Sequence, residues 1–153
     1  QIDALGMRER VRFVGAVPHI EMRGLYSAAT AVAMVPASDG LPQSLFEALA
    51  CGAPVLLGPL PAYAEIVDEG RSALFAELNA PSIAAGLGRL LGDDRLRATL
   101  TQGGRVAVSQ KASLPADIDR VLRIFEAVRA QPRLRPRRDP FGALFDLIGL
   151  AVP

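Results

Sequence analysis

Residues 31–57 read AVAMVPASDGLPQSLFEALACGAPVLL, and this stretch decides the fold. It begins and ends with short apolar runs, residues 31–35 and 54–57, which are typical of strands buried on both faces of a parallel sheet. Between these runs lie a polar loop with Asp39 and Gly40 and then a helix over residues 43–50 that stops at Gly52. A strand, a helix and a second strand joined by short loops predict a parallel α/β unit.

Outside this stretch the chain continues to alternate between strand and helix patterns. We predict further strands at residues 11–17 and 72–76, and helices at 21–29, 62–68, 81–91, 94–109 and 115–130. Gly103 and Gly104 are expected to interrupt the helix at 94–109. The predicted fold class is α/β: a Rossmann-like parallel sheet with helices on both faces.

Composition narrows the functional classes. The chain has 153 residues and a net charge of +1, which gives no reason to expect nucleic acid as a partner. Its single cysteine excludes an internal disulfide and a zinc site of several thiolates, and fits a reducing, cytoplasmic compartment. No apolar run is long enough to span a membrane, and the start has no signal-peptide pattern. Because the first residue is Gln, we expect the chain to be a fragment of a longer protein.

The loop and helix start after the residue 31–35 strand form the predicted binding site, because ligands of open parallel sheets bind beyond the carboxyl ends of the strands. Gly40 allows the backbone to approach a ligand, and the free N–H groups near Ser44 and Leu45 favour phosphate. Glu47 follows one turn later, where its carboxylate can accept hydrogen bonds from a ribose diol. Asp39 can accept from hydroxyls on the other side of the phosphates. A nucleoside-diphosphate sugar requires these groups.

At this point the residues resemble a known family. Residues 36–55, PASDGLPQSLFEALACGAPV, are similar to the donor-site signature of the group 1 glycosyltransferases, in which two acidic residues stand eight positions apart before Gly-x-Pro-Val. Similar segments at residues 11–15, 25–29 and 65–70 also match the family, so that the resemblance covers roughly residues 5–110. It implies the C-terminal, donor-binding half of a GT-B fold.

The resemblance implies a retaining glycosyltransferase, hexosyltransferase-like, that acts in polysaccharide or glycolipid biosynthesis on a UDP-, GDP- or ADP-sugar. It implies no cofactor and no bound metal. Glu47 would bind the ribose, Asp39 the hydroxyls of the donor sugar near the reacting carbon, and the backbone from Gly40 through Leu41 and Ser44 to Leu45 the sugar and diphosphate. The family's basic diphosphate-binding residues, its catalytic histidine and its N-terminal acceptor domain lie outside this chain. We therefore expect the chain alone to bind donor without catalysing transfer.

Two departures from the family pattern leave alternatives open. Asp39 stands where the family commonly has Glu, and residues 58–61, GPLP, replace a frequent Gly-Gly. These departures support an alternative reading as a catalytically inactive nucleotide-sugar-binding module or regulatory homologue. A sugar-nucleotide epimerase of similar fold is a third reading, against which the spacing of Asp39 and Glu47 argues.

Other residues are interpreted structurally. His19, after Pro18, is expected to serve a helix start or loop rather than catalysis, and Cys51 is expected to pack as a small residue. Recognition of the base is expected from backbone groups around Val17 and Pro18.

The predicted domain spans residues 1–130, and residues 131–153 are predicted to form a basic Pro/Arg linker and an apolar tail. The tail contains four arginines followed by the apolar stretch 141–152. We expect it to pack on the missing acceptor domain. The alternative is peripheral contact with an anionic membrane surface on the cytoplasmic side.

Overall fold

The computed structural model describes residues 1–40, 42–112 and 114–130. At its centre is a three-stranded parallel sheet in the order β1-β2-β3. The strands are β1 (Val32–Met34), β2 (Val55–Leu57) and β3 (Leu74–Phe75). The strands predicted at residues 31–35, 54–57 and 72–76 are therefore confirmed, each with shorter bounds.

Helices connect and flank these strands. A 3-10 turn at Arg8–Arg10 precedes α1 (His19–Ala28), α2 (Gln43–Cys51) and α3 (Pro61–Ala64). After β3 come α4 (Ala80–Gly92), α5 (Asp94–Lys111) and α6 (Leu114–Ala130). The predicted stop of α2 is confirmed: Gly52 has a φ of 82°, a left-handed conformation that glycine adopts at little cost.

The helices cover both faces of the sheet, as predicted. Side chains alternate along a strand, so Val55 and Leu57 of β2 enter one core, whereas Leu56 between them enters another. The first core also contains buried residues of α1, α2 and α3, and the second contains residues of β3, α4 and α5. All three β2 residues are fully buried. This is why the strand is apolar throughout rather than alternating.

The strand predicted at residues 11–17 is wrong. These residues form no strand with any segment that the structure describes, and Phe13 is 82% exposed. Their alternating β-branched and aromatic pattern has β-propensity, but a strand also needs a partner edge and a covered face. Neither is provided here by the described residues.

Two helix predictions also need correction. The helix predicted at residues 62–68 is limited to α3, because residues 68–72 turn back and Ser72 Oγ accepts from the Asp68 backbone N–H at 2.7 Å. The interruption predicted at Gly103 and Gly104 is absent, and α5 is continuous there. A Cβ at Gly103 would overlap the Arg71 carbonyl oxygen. The two glycines therefore serve close packing of α5.

The chain divides into two units, Gln1–Ser113 and Leu114–Pro153. In the second unit the structure describes α6, on which the apolar side chains are exposed to solvent: Ile118, Val121, Leu122, Phe125 and Val128. The linker and tail predicted at residues 131–153 lie outside the described residues, so the domain boundary at residue 130 stays a prediction. None of the helices described is long and apolar enough to cross a membrane.

Candidate donor-binding site

The predicted site lies at the carboxyl end of β1, where the chain leaves Met34 and enters α2 at Gln43. Pro42, the residue before α2, has no side-chain group that could cap the helix, and its carbonyl oxygen accepts from the Leu45 N–H at 3.1 Å. The N–H groups that could face a ligand at this helix start are therefore those of Gln43 and Ser44. An uncapped helix start at this edge of a parallel sheet is suited to an anionic ligand.

Glu47 projects from the second turn of α2 and forms a contact with α1. Its Oε1 lies 2.9 Å from His19 Nε2. The Glu47 side chain is 23% exposed and the His19 side chain 84% exposed. His19 is the first residue of α1, which agrees with the expected helix-start or loop role although the helix was predicted to begin at residue 21. Its contact with Glu47 was not predicted. The two residues are 28 positions apart, and no local pattern connects them.

Tyr26 of α1 packs near the same carboxylate. Its side chain is buried in the core that α1 and α2 share. Burial raises the pKa of Tyr26, and the negative charges of Glu47 and then Cys51 raise it further.

Asp39 is exposed in the loop between β1 and α2 and has its own partner. Tyr63 of α3, fully buried, directs its hydroxyl toward Asp39 Oδ2 at 3.5 Å. Burial raises the pKa of Tyr63, and the charge of Asp39 and the hydrogen bond to it add to the effect. Sequence reasoning missed Tyr63 as well. No local pattern connects it with Asp39, 24 positions away.

The other predicted site residues differ in what they can contribute. Ser44 is half-buried, with its Oγ 4.0 Å from Met34 Sδ. Leu45 is fully buried, and its backbone N–H donates to the Pro42 carbonyl oxygen at 3.1 Å, so the structure does not offer this N–H to a ligand. Gly40 is exposed, with open space where a Cβ would project. Leu41 lies outside the described residues. In the described part of the chain, no cluster of three or more His, Cys, Asp or Glu residues could hold a metal ion.

Among the described residues, cavities also lie outside this loop, and two of them bear on the prediction. One of about 380 Å³ is lined by Val17 and Pro18, where base recognition was predicted, together with Val14 and Leu25 among others. A larger cavity of about 510 Å³ lies between the turn at residues 68–72 and α5, and none of the predicted site residues lines it. Size therefore does not identify the site. The placement of the carboxylates beyond β1 is the better guide.

Comparison with known families decides the assignment. The family described as "Glycosyl transferases group 1" matches residues 1–107. The chain belongs to the group 1 glycosyltransferases. The predicted family is thus confirmed.

Curated relatives agree with this assignment. The D-inositol 3-phosphate glycosyltransferase 1 of Catenulispora acidiphila is 30% identical over 132 residues, which are 86% of this chain and 32% of that protein. The D-inositol 3-phosphate glycosyltransferase of Corynebacterium jeikeium is 32% identical over 143 residues, covering 92% and 33%. The chain therefore spans about a third of the length of the curated relatives it matches.

Solved structures confirm the fold. Sucrose-phosphate synthase from Thermosynechococcus elongatus matches with a TM-score of 0.76 at 25% identity, over 84% of this chain and 33% of that one. Anabaena HepE, solved in complex with UDP, matches with a TM-score of 0.76 at 21% identity, covering 82% and 35%. The sheet with its helices is part of a GT-B glycosyltransferase fold, as predicted.

Proposed function

We propose that this chain is the donor-binding half of a retaining glycosyltransferase and binds a nucleoside-diphosphate sugar. One observation carries the proposal: Glu47 stands 23% exposed on α2, close after a helix start that no side chain of Pro42 caps. A carboxylate accepts from a ribose diol, and helix N–H groups donate to phosphate. Both groups are arranged at the edge of the sheet where such ligands bind.

The site would favour the transfer reaction by stabilising the leaving group, which is the nucleoside diphosphate. As the bond between sugar and phosphate breaks, negative charge grows on the diphosphate, and the start of α2 would stabilise that charge. Asp39 would accept hydrogen bonds from hydroxyls of the sugar and so orient it. The acceptor would be held by a domain outside this chain, so we expect donor binding without transfer from this chain alone.

The choice of nucleotide also has support. The Anabaena protein, whose fold this chain shares, was solved with UDP and with UDP-glucose. UDP is therefore the first nucleotide to test, with GDP and ADP as competitors for the same site.

Isothermal calorimetry tests the proposal. UDP, GDP and ADP would be titrated into the wild-type chain, the Glu47→Ala variant and a matched control, Glu126→Ala, which changes an exposed carboxylate on α6. We expect one of the three nucleotides to bind the wild-type chain. Glu47→Ala should weaken the binding of that nucleotide by about 1.5–3 kcal/mol, or roughly ten- to a hundredfold, and the control should bind it as the wild type does. If none binds, the titration is repeated on a chain extended upstream. Absence of binding there would overturn the proposal.

A further inference from the structure

His19 contacts the carboxylate that we assign to the ribose. It is the only histidine of the chain, it begins α1 directly after Pro18, and its Nε2 lies 2.9 Å from Glu47 Oε1. The imidazole reaches across from α1 to α2, two helices that pack together in the first core.

The contact between His19 and Glu47 is expected to add little to the folding stability of the chain. His19 is 84% exposed, and ion pairs or hydrogen bonds at such exposure contribute little to folding. The hydrogen bond does, however, constrain the Glu47 side chain. A flexible glutamate has several rotamers, and a hydrogen bond to a donor on a second helix favours those rotamers that bring Oε1 to the donor. The described contacts of Glu47 involve Oε1, so that Oε2 is left to accept from a ligand.

We propose that His19 is a positioning residue for ribose recognition: its imidazole donates to Glu47 Oε1 and holds the carboxylate with Oε2 directed to a ribose hydroxyl. The proposal rests on the function proposed above and adds a residue to it. It makes His19 act through Glu47, without a contact of its own to the reacting atoms. The loss of His19 should therefore affect only ligands that have ribose hydroxyls.

The test compares UDP with 2′,3′-dideoxyuridine diphosphate, which lacks both ribose hydroxyls. We expect His19→Ala to weaken the binding of UDP about five- to tenfold and to leave the affinity for the dideoxy nucleotide unchanged. His19→Gln should restore most of the UDP affinity, because its side-chain amide can donate at a similar reach. Arg23→Ala, an exposed cation on the same helix, is the matched control and should bind both nucleotides as the wild type does.

A double-mutant cycle checks the route through Glu47. If His19 acts through that carboxylate, His19→Ala should cost nothing more once Glu47→Ala is present. An additive loss, an equal loss for both nucleotides, or no loss with UDP would each overturn the inference. In those cases the proposed function stands, provided that Glu47→Ala alone still weakens UDP.

A measurement without nucleotide separates the two proposals further. Because His19 is the only histidine, its imidazole nitrogen resonances are assigned without ambiguity. The chemical shifts of these resonances should change in Glu47→Ala and stay unchanged in Glu126→Ala. If Glu47→Ala leaves them unchanged, the contact is absent in solution and the inference fails. If no nucleotide binds even to the chain extended upstream while the resonances do move, the proposed function has failed, and the role of His19 in ribose recognition fails with it.

Discussion

The Tyr63 hydroxyl donates a hydrogen bond to Asp39 Oδ2 at 3.5 Å and thereby connects α3 with the loop between β1 and α2. The ring is fully buried, whereas the carboxylate that accepts is exposed. A loop residue is thus held by a side chain anchored in the core. The other carboxylate of the candidate site, Glu47, also has a partner on another helix, but there the donor, His19 of α1, is the exposed side chain.

Both tyrosines of the chain should lose their protons only above the usual pH. Burial, followed by the charge of Asp39, raises the pKa of Tyr63, and burial, followed by the charge of Glu47, raises that of Tyr26. In a Tyr26→Phe background, tyrosinate absorbance reports Tyr63 alone. We expect Asp39→Asn to lower the pKa of Tyr63 without restoring the ordinary value, because burial is the larger cause. A titration identical to that of the unfolded chain would contradict this prediction.

The same shifts predict a loss of stability in alkali. A raised folded-state pKa means that, above the ordinary value of about 10, the folded state holds more protons than the unfolded state. The stabilisation is complete below that pH and is lost as the pH rises through the folded-state value. Urea unfolding across this range should give a falling free energy of unfolding, and Tyr63→Phe should flatten the fall. An unchanged slope in that variant would show that other groups cause it.

Gly103 and Gly88 should respond in opposite directions to alanine. A Cβ at Gly103 would overlap the Arg71 carbonyl oxygen, whereas nothing lies within 4 Å of a Cβ at Gly88. Gly103→Ala should therefore cost about 1–3 kcal/mol, since backbone has to move. Gly88→Ala in α4 should stabilise by about 0.5–1 kcal/mol, since alanine favours a helix over glycine. Urea unfolding of both variants measures this, and equal effects would contradict the close packing of α5.

How far the sequence predicts the fold depends on where the determining interactions lie. β1, β2 and α2 were predicted because their signals are local: apolar runs between prolines, and a glycine that ends a helix. The strand at residues 11–17 was wrong because pairing depends on a distant edge. The glycines of α5 were misread for the same reason. The residues that require them, Arg71 beside Gly103 and Leu49 beside Gly104, come from other parts of the chain.

The same distinction between local signals and distant contacts applies to the candidate site. Asp39, Ser44 and Glu47 were proposed because their positions relative to a strand end and a helix start can be counted along the sequence. Their partners, His19 and Tyr63, come from other elements, 28 and 24 positions away, respectively. Such contacts are set by how α1 and α3 pack on the sheet. Periodicity and spacing do not contain that information.

The hydroxyl of Thr101 should contribute to the packing of α5 against α2. Thr101 Oγ1 donates to the Gly52 carbonyl oxygen at 2.8 Å, where α2 ends. Thr101→Val keeps the shape and removes the donor, and we expect it to lower the free energy of unfolding by about 1 kcal/mol. Thr99→Val is the matched control, because the exposed Thr99 hydroxyl bonds only within its own helix, to Arg95. Thermal unfolding compares the two variants, and an equal cost would mean that the connection to Gly52 is not stabilising.

Asp39 should discriminate between a nucleotide sugar and the bare nucleotide. Under the proposed function its carboxylate accepts from sugar hydroxyls, so Asp39→Asn should weaken UDP-glucose about tenfold and leave UDP within about twofold. Tyr63→Phe, which removes the hydroxyl that holds Asp39, should weaken UDP-glucose less and in the same direction. Asp119→Asn on α6 is the control for lost charge. Calorimetry with both ligands measures these affinities. An equal loss for UDP and UDP-glucose would contradict a contact between Asp39 and the hydroxyls of the sugar.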